Sequence, residues 1–192
     1  MKESLKSNPP LQGLPLQSDT RNVVDKYKGV PNDAIVADLS KSRTGLHVAI
    51  ENLEHDFNIG SIIRTANAFN VSAVHIIGKK HYNRRGAMCT DKYLAMHHWD
   101  TAANFIKFCE GEGLEIFAVD NVAGAEPLNF IKFPKRCVLV FGAEGPGLSS
   151  EVLAAASKVV AIEQLGSTRS INVGAAAGIA MYSYLQQNVL SA

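Results

Sequence analysis

Between Arg136 and Gln187 the sequence twice runs through an apolar, β-branched segment into a glycine-bearing loop and then a helix. That doubled phrase restricts the fold more than any other part of the chain. Arg136-Cys137-Val138-Leu139-Val140-Phe141 reads as a buried strand stopped by Gly142. In Gly142-Ala143-Glu144-Gly145-Pro146-Gly147-Leu148, three glycines and a proline forbid regular structure and let a ligand approach the backbone. Ser149 or Ser150 is placed to cap a short helix with Glu151 in its first turn. The phrase then repeats: strand Val159 to Ile162, loop Glu163 to Arg169, and Ser170 as N-cap of a helix from Ile171 to Gln187. Two loops leaving neighbouring parallel strands at their carboxyl ends make the usual crevice for a small cofactor.

Upstream, Leu46 to Asn52 is a strand, Ile59 to Phe69 a helix with Ile62, Ile63, Ala66 and Phe69 at helical spacing, and Ser72 to Gly78 a second strand. A strand–helix–strand unit of this length implies a parallel sheet with a right-handed crossover. Tyr93 to Trp99 is ambiguous between a short strand and an irregular segment. Thr101 to Glu112 is an amphipathic helix closed by Gly113, and Leu114 to Val119 is another strand. The alternation predicts an α/β fold with a mainly parallel sheet of five or six strands and helices on both faces. Residues 1 to about 20, with Pro9, Pro10, Gly13 and Pro15, read as a poorly ordered arm, and Pro31-Asn32-Asp33 starts a small helical lead-in. The expected division is an arm and lead-in over 1–45 and an α/β domain over 46–192.

The 192 residues are 46% hydrophobic with a formal charge of +1, so nucleic-acid affinity would need a local patch. One exists. Between Phe57 and Thr90 there is no Asp or Glu, while Arg64, Lys79, Lys80, Arg84 and Arg85 all occur, with His81 and Tyr82 among them. That stretch reads either as a solvated loop or as a contact surface for phosphate backbone. Cys89, Cys109 and Cys137 form no Cys-x-x-Cys pair and the six histidines have no ligand spacing, so no metal is expected. The odd cysteine count, the lack of a signal peptide and the lack of a membrane-length apolar run lead to the expectation of a cytoplasmic protein with no membrane partner. The glycine pattern is not that of a dinucleotide fold, and no Walker lysine follows it.

Three residue groups carry the chemistry. Asn58 and Arg64 open a helix after a strand, where a guanidinium suits a phosphate or carboxylate. Glu144 stands in the first glycine loop. Ser170 and Asn172 stand at the start of the last helix, whose Gly174, Ala175, Ala176, Ala177 and Gly178 require close packing against the sheet or a second subunit.

Asn58-x-Gly60-x-x-x-Arg64-x-Ala66, Phe141-Gly142-x-Glu144-x-x-Gly147-Leu148-Ser149 and Ser170-Ile171-Asn172-Val173, in that order, resemble the three motifs of the SpoU (TrmH-like) branch of the SPOUT RNA methyltransferases. The resemblance covers about residues 46 to 187. It implies S-adenosyl-L-methionine as donor, transfer to a ribose 2′-hydroxyl of tRNA or rRNA, a homodimer and a C-terminal trefoil knot. It further implies that Val119, Gly142, Ile162, Ser170 and Ile171 contact the cofactor. Arg64 would activate the hydroxyl, supported by Asn58, Glu144, Ser170 and Asn172, and Lys79, Lys80, Arg84 and Arg85 would bind RNA. Glu163 stands where the family often has proline, and Ile171 where leucine is commoner. An inactive RNA-binding protein on the same fold is the alternative, which intact Arg64, Glu144 and Asn172 oppose. A small-molecule enzyme using the Gly142 loop for a phosphate would leave the basic stretch unexplained.

Overall fold

A computed structural model describes residues 19–52, 58–142 and 147–191. Most of the expected arm, the Leu53 to Phe57 connection and Glu144 lie outside the described residues. Seven parallel strands run β1 Leu46–Asn52, β2 Ala73–Gly78, β3 Met96–Trp99, β4 Glu115–Val119, β5 Glu126–Pro127, β6 Cys137–Phe141 and β7 Lys158–Ala161. Their order across the sheet is β3-β2-β1-β6-β4-β7-β5. The ambiguous stretch before Trp99 becomes β3, paired in parallel with β2. The strand beyond the expected six is β5, two residues paired with β7, too short to leave a periodic signal in sequence.

Helices α1 Asn32–Ser40, α2 Asn58–Ala68, α3 Ala102–Glu112, α4 Ser150–Ala155 and α5 Val173–Leu185 complete the fold. All five residues of the central strand β6 are buried. Cys137, Leu139 and Phe141 join the core under α2 and α5. Val138 and Val140 join the core under α3 and α4. An unbroken apolar run is thus explained by helices on both faces. On α2, Ile59, Ile62 and Ile63 are fully buried, each contributing roughly 1.5–3 kcal/mol relative to exposure. Thr101 caps α3 by accepting from Asn104 N–H, and Gly113 ends it at φ +62°. No helix among the described residues is long and apolar enough to cross a membrane.

Two close contacts set the position of later elements. A Cβ on Gly60 would lie 2.7 Å from Ala87 N and 2.8 Å from Gly86 Cα, so the glycine lets the short 3-10 turn Arg84–Ala87 rest on the start of α2. The lead-in, through Tyr27, Val30 and Ile35, packs with Tyr93 at the end of the same segment. Arg43 adds hydrogen bonds to the Val71 and Tyr93 carbonyls at 2.9 and 3.0 Å.

On the α3 face, three histidines from adjacent strands stack across the sheet: His47 to His75 at 5.3 Å and His75 to His97 at 5.1 Å between centroids. Trp99 Nε1–H donates to His75 Nδ1 at 3.1 Å, so a neutral His75 carries its proton on Nε2 and donates to His47 Nδ1 at 3.0 Å. Burial holds His75 down to about 3 and, with nearby Arg136 and His97, His47 down to about 4. Unfolded imidazoles bind protons below about pH 6.5, whereas these two do not until far lower. The stability they contribute is therefore complete above that pH and is lost as pH falls. Denaturant unfolding is expected to show a loss of about 2 kcal/mol from His75 alone between pH 7 and 5, with less from the half-buried His47. Stability that is level over that interval would contradict the neutral array.

Candidate functional site

A cavity of about 450 Å³ lies at the carboxyl ends of β4, β6 and β7. Sequence reasoning placed the two glycine loops on neighbouring strands. Instead β4 separates β6 from β7, and its end supplies a third wall, Val119, Asp120 and Asn121. Strand adjacency in a sheet is long-range pairing, which chain order does not encode.

Each wall is tied to another. Gly142 lies so close to the returning loop that a Cβ there would sit 2.3 Å from Gly147 C and 2.6 Å from Leu148 N. Gly147 itself has φ +73°, and a Cβ on it would meet Asp120 Oδ2 at 2.7 Å. Asp120 uses that oxygen to accept from Leu148 N–H at 3.0 Å. Its own N–H donates to the Val160 carbonyl at 3.0 Å, joining β4 to β7. Asn121 Nδ2 donates to the Arg169 carbonyl at 3.0 Å, holding the second loop. From β1, the buried Glu51 accepts from both Ser149 N–H and Ser149 Oγ–H at 2.7 Å. Ser149 in turn caps α4 by accepting from Val152 N–H.

The helix start differs from expectation. Ser170 is not the N-cap of α5; Asn172 is, its Oδ1 accepting from Ala175 N–H at 3.2 Å. A carboxamide suits this position at least as well as a hydroxyl, and the shift leaves Ser170 and Ile171 along the cavity wall. Asn172 also donates through Nδ2 to Asn58 Oδ1 at 2.9 Å, joining the last helix to α2 across 114 residues of sequence. Gly174 makes this possible: a Cβ there would be 3.1 Å from Asn172 Oδ1 and 3.5 Å from Ser61 Cβ.

All five residues expected to touch the cofactor, Val119, Gly142, Ile162, Ser170 and Ile171, line this cavity, and Asn172 joins them. Asn58 and Arg64 do not line it. Asn58 reaches it through Asn172, and Arg64 is exposed six residues along α2, a rise of about 9 Å. Arg64 stands on the outward side of the helix whose inward side holds Ile62, Ile63 and Ala66. Among Lys79, Lys80, Arg84 and Arg85, all exposed, Arg84 pairs with Asp91, which sits just past the acid-free stretch. Glu51, Asp120, Asn121 and Gln164 were missed. The signal available for Asp120 and Asn121 was position, since they directly follow an apolar strand at its carboxyl end. Among the described residues no group of three or more His, Cys, Asp or Glu is placed to hold a metal ion.

The cavity fits a polar small molecule with an apolar body. Its volume lies within the ordinary range for such sites. Val119, Phe141, Val160 and Ile162 supply apolar wall, and Gln164 Oε1 is buried with no hydrogen-bond partner among the described residues. Such an acceptor suits an amino group of a ligand. Gly142→Ala is expected to force the Gly147–Leu148 backbone away and to cost about 1–3 kcal/mol in denaturant unfolding. Gly166→Ala, where nothing described lies within 4 Å of the added Cβ, is expected to cost far less. Equal costs would contradict the close approach.

Comparison with known proteins agrees with this geometry. The SpoU rRNA Methylase family model matches residues 45–182. Over 152 residues the chain is 24% identical to the tRNA (guanosine(18)-2′-O)-methyltransferase of Escherichia coli, covering 78% of this chain and 66% of that protein. It thus spans just under two thirds of that relative's length. A crystal structure of an A. aeolicus TrmH/SpoU tRNA modifying enzyme superposes with TM-score 0.74 at 25% identity, covering 83% of each chain. An AdoMet-bound rRNA methyltransferase from Sinorhizobium meliloti gives TM-score 0.68 at 25% identity, over 77% of this chain and 59% of that one. With residues 45–182, most of its length, matched by the family model, the chain belongs to the SpoU rRNA Methylase family.

Proposed function

We propose that this protein transfers a methyl group from S-adenosyl-L-methionine to a ribose 2′-hydroxyl of tRNA or rRNA. The observation that carries the reading is the Asn172–Asn58 hydrogen bond at 2.9 Å. It brings the first and third motifs together beside a cavity that Phe141, Gly142 and Gly147 of the second also line.

The donor supplies an electrophilic methyl on a sulfonium. Gly142, Ile162, Ser170 and Ile171 would hold it in the cavity, and Gln164 Oε1 would accept from one of its amino groups. Asn172 and Asn58, each fixed by the other, would set the site's geometry toward the acceptor ribose. Glu144 belongs to this proposal on its place in the motif alone. Arg64 stays charged, because a guanidinium is not deprotonated in proteins. Its role would be to grip an RNA phosphate and stabilise negative charge developing on the 2′-oxygen. Lys79, Lys80, Arg84 and Arg85 would extend the phosphate contact from a segment packed on α2 through Gly60 and Gly86.

We further infer a homodimer. Ile179 and Tyr182 of α5 are 45% and 47% exposed, and Val189 and Leu190 beyond it are 43% and 60% exposed, forming an outward apolar face that a second copy would cover. The C-terminal trefoil knot implied by the resemblance is consistent with β6 inserted between β1 and β4 and with α5 returning from β7 to lie on α2. Residues 46–192 would then be the catalytic domain, with the lead-in bracing the basic segment.

Tritiated methyl transfer to bulk tRNA and rRNA tests the reaction. Wild type is expected to label RNA in alkali-resistant linkages, and Arg64→Ala to label it about 100- to 1,000-fold more slowly. Unlabelled RNA with wild type would sink the reaction, and full activity in Arg64→Ala would sink the site assignment. Sedimentation is expected to give twice the 20.7 kDa chain mass, and Ile179→Glu with Tyr182→Glu to give a monomer; a monomeric wild type would refute the dimer.

A further inference from the structure

A second cavity, of about 510 Å³, opens towards the β3 edge of the sheet, between residues 80–84 and that strand. Its base is apolar: Ile76 of β2 and Met96 of β3, with Tyr82 packed partly buried against the core beside them. Its rim is cationic, with Lys80 and Arg84. Among the described residues no carboxylate lines it. Of the nearby acids, Asp91 pairs with Arg84, and Asp100 is 87% exposed with its carboxylate 3.6 Å from His98 Nδ1. His98 Nε2–H donates to the Gly78 carbonyl at 2.8 Å, which fixes that imidazole in the wall. Although Arg84 pairs with Asp91, its side chain is 70% exposed, and a guanidinium has five donors, enough for a second anion.

An apolar base, an aromatic wall and a cationic rim together select a ligand that has a flat apolar face and an anionic edge. A plain phosphate would leave the base unfilled, and a neutral aromatic would leave the rim unpaired. A nucleotide satisfies both. We propose that this cavity takes one unstacked nucleotide of the bound RNA, with its base against Tyr82 and its phosphate at Lys80 and Arg84. This rests on the RNA reading above and adds to it a second grip on the strand, apart from the nucleotide that accepts the methyl group. With strands about 4.8 Å apart, a cavity at β2–β3 and one centred on β4 are separated by about 17 Å across the sheet. A single strand crosses that distance in a few nucleotides.

The test uses full-length protein and RNA carrying 4-thiouridine, photocrosslinked and mapped by peptide mass. The expected result is an adduct within residues 76–98, and RNA affinity lowered about tenfold in Tyr82→Ala with S-adenosyl-L-methionine affinity unchanged. Lys80→Glu, at an exposed position, reports the same loss should Tyr82→Ala fail to fold. Adducts confined to other segments, or wild-type affinity in both variants, would overturn the proposal. So would binding of free nucleoside monophosphate at this cavity as tightly as RNA, which would make it a metabolite site. Wild-type protein that binds S-adenosyl-L-methionine but no RNA would defeat the substrate reading and this subsite with it. Wild type that binds RNA without crosslinking here defeats the subsite alone.

Discussion

The close passage of the Gly142 backbone past Gly147 and Leu148 is the constraint on which the site depends. No side chain fits between the two segments, so the backbone at 147–148 can lie against the end of β6 only over a glycine. Two carboxylates then hold its far end: Asp120 takes the Leu148 amide, and Glu51 takes the Ser149 amide and hydroxyl. These acids come from β1 and the end of β4, the strands flanking β6. A loop held from both sides leaves a cavity between itself and the second loop, where Ser170 and Ile171 are kept out of the helix because Asn172 caps it. The site is therefore preorganised by backbone contacts and caps, with modest reliance on long side chains.

The two faces of the sheet divide the work. Under α3 the core holds an aromatic array built on His75, and its hydrogen bonds require neutral imidazoles. That face contributes stability. Under α2 and α5 the core brings small residues into contact, Gly174 against Ser61 and Gly178 against Thr65, and the groups proposed to act on RNA stand along its border. Gly60 has a comparable role. It reads in sequence as part of a motif around a ligand, yet the structure gives it a backbone to receive, that of Gly86 and Ala87.

Much of this was legible in the letters because it is local. The strand–helix alternation, a serine cap at 149 or 150 and the Gly113 terminus each follow from a few adjacent residues. Val119, Gly142, Ile162, Ser170 and Ile171 were found by family resemblance, and the cavity collects them. What escaped is long-range. Nothing near Glu51 announces that Ser149, 98 residues later, will become its partner. The insertion of β6 beside β1 and the stacking of His47, His75 and His97 follow from strand order, which the sequence does not state. The cap falls two residues later than Ser170 because serine and asparagine compete for the same position and only packing against α2 decides between them.

Hydrogen exchange measured with and without saturating S-adenosyl-L-methionine addresses the central claim most directly, since the claim is that three separate segments form one donor cavity. Slowed exchange is expected together in 119–121, 147–149 and 160–173, with the amides of β2 and β3 unchanged. Protection confined to one of those segments, or found instead around residues 76–98, would contradict it.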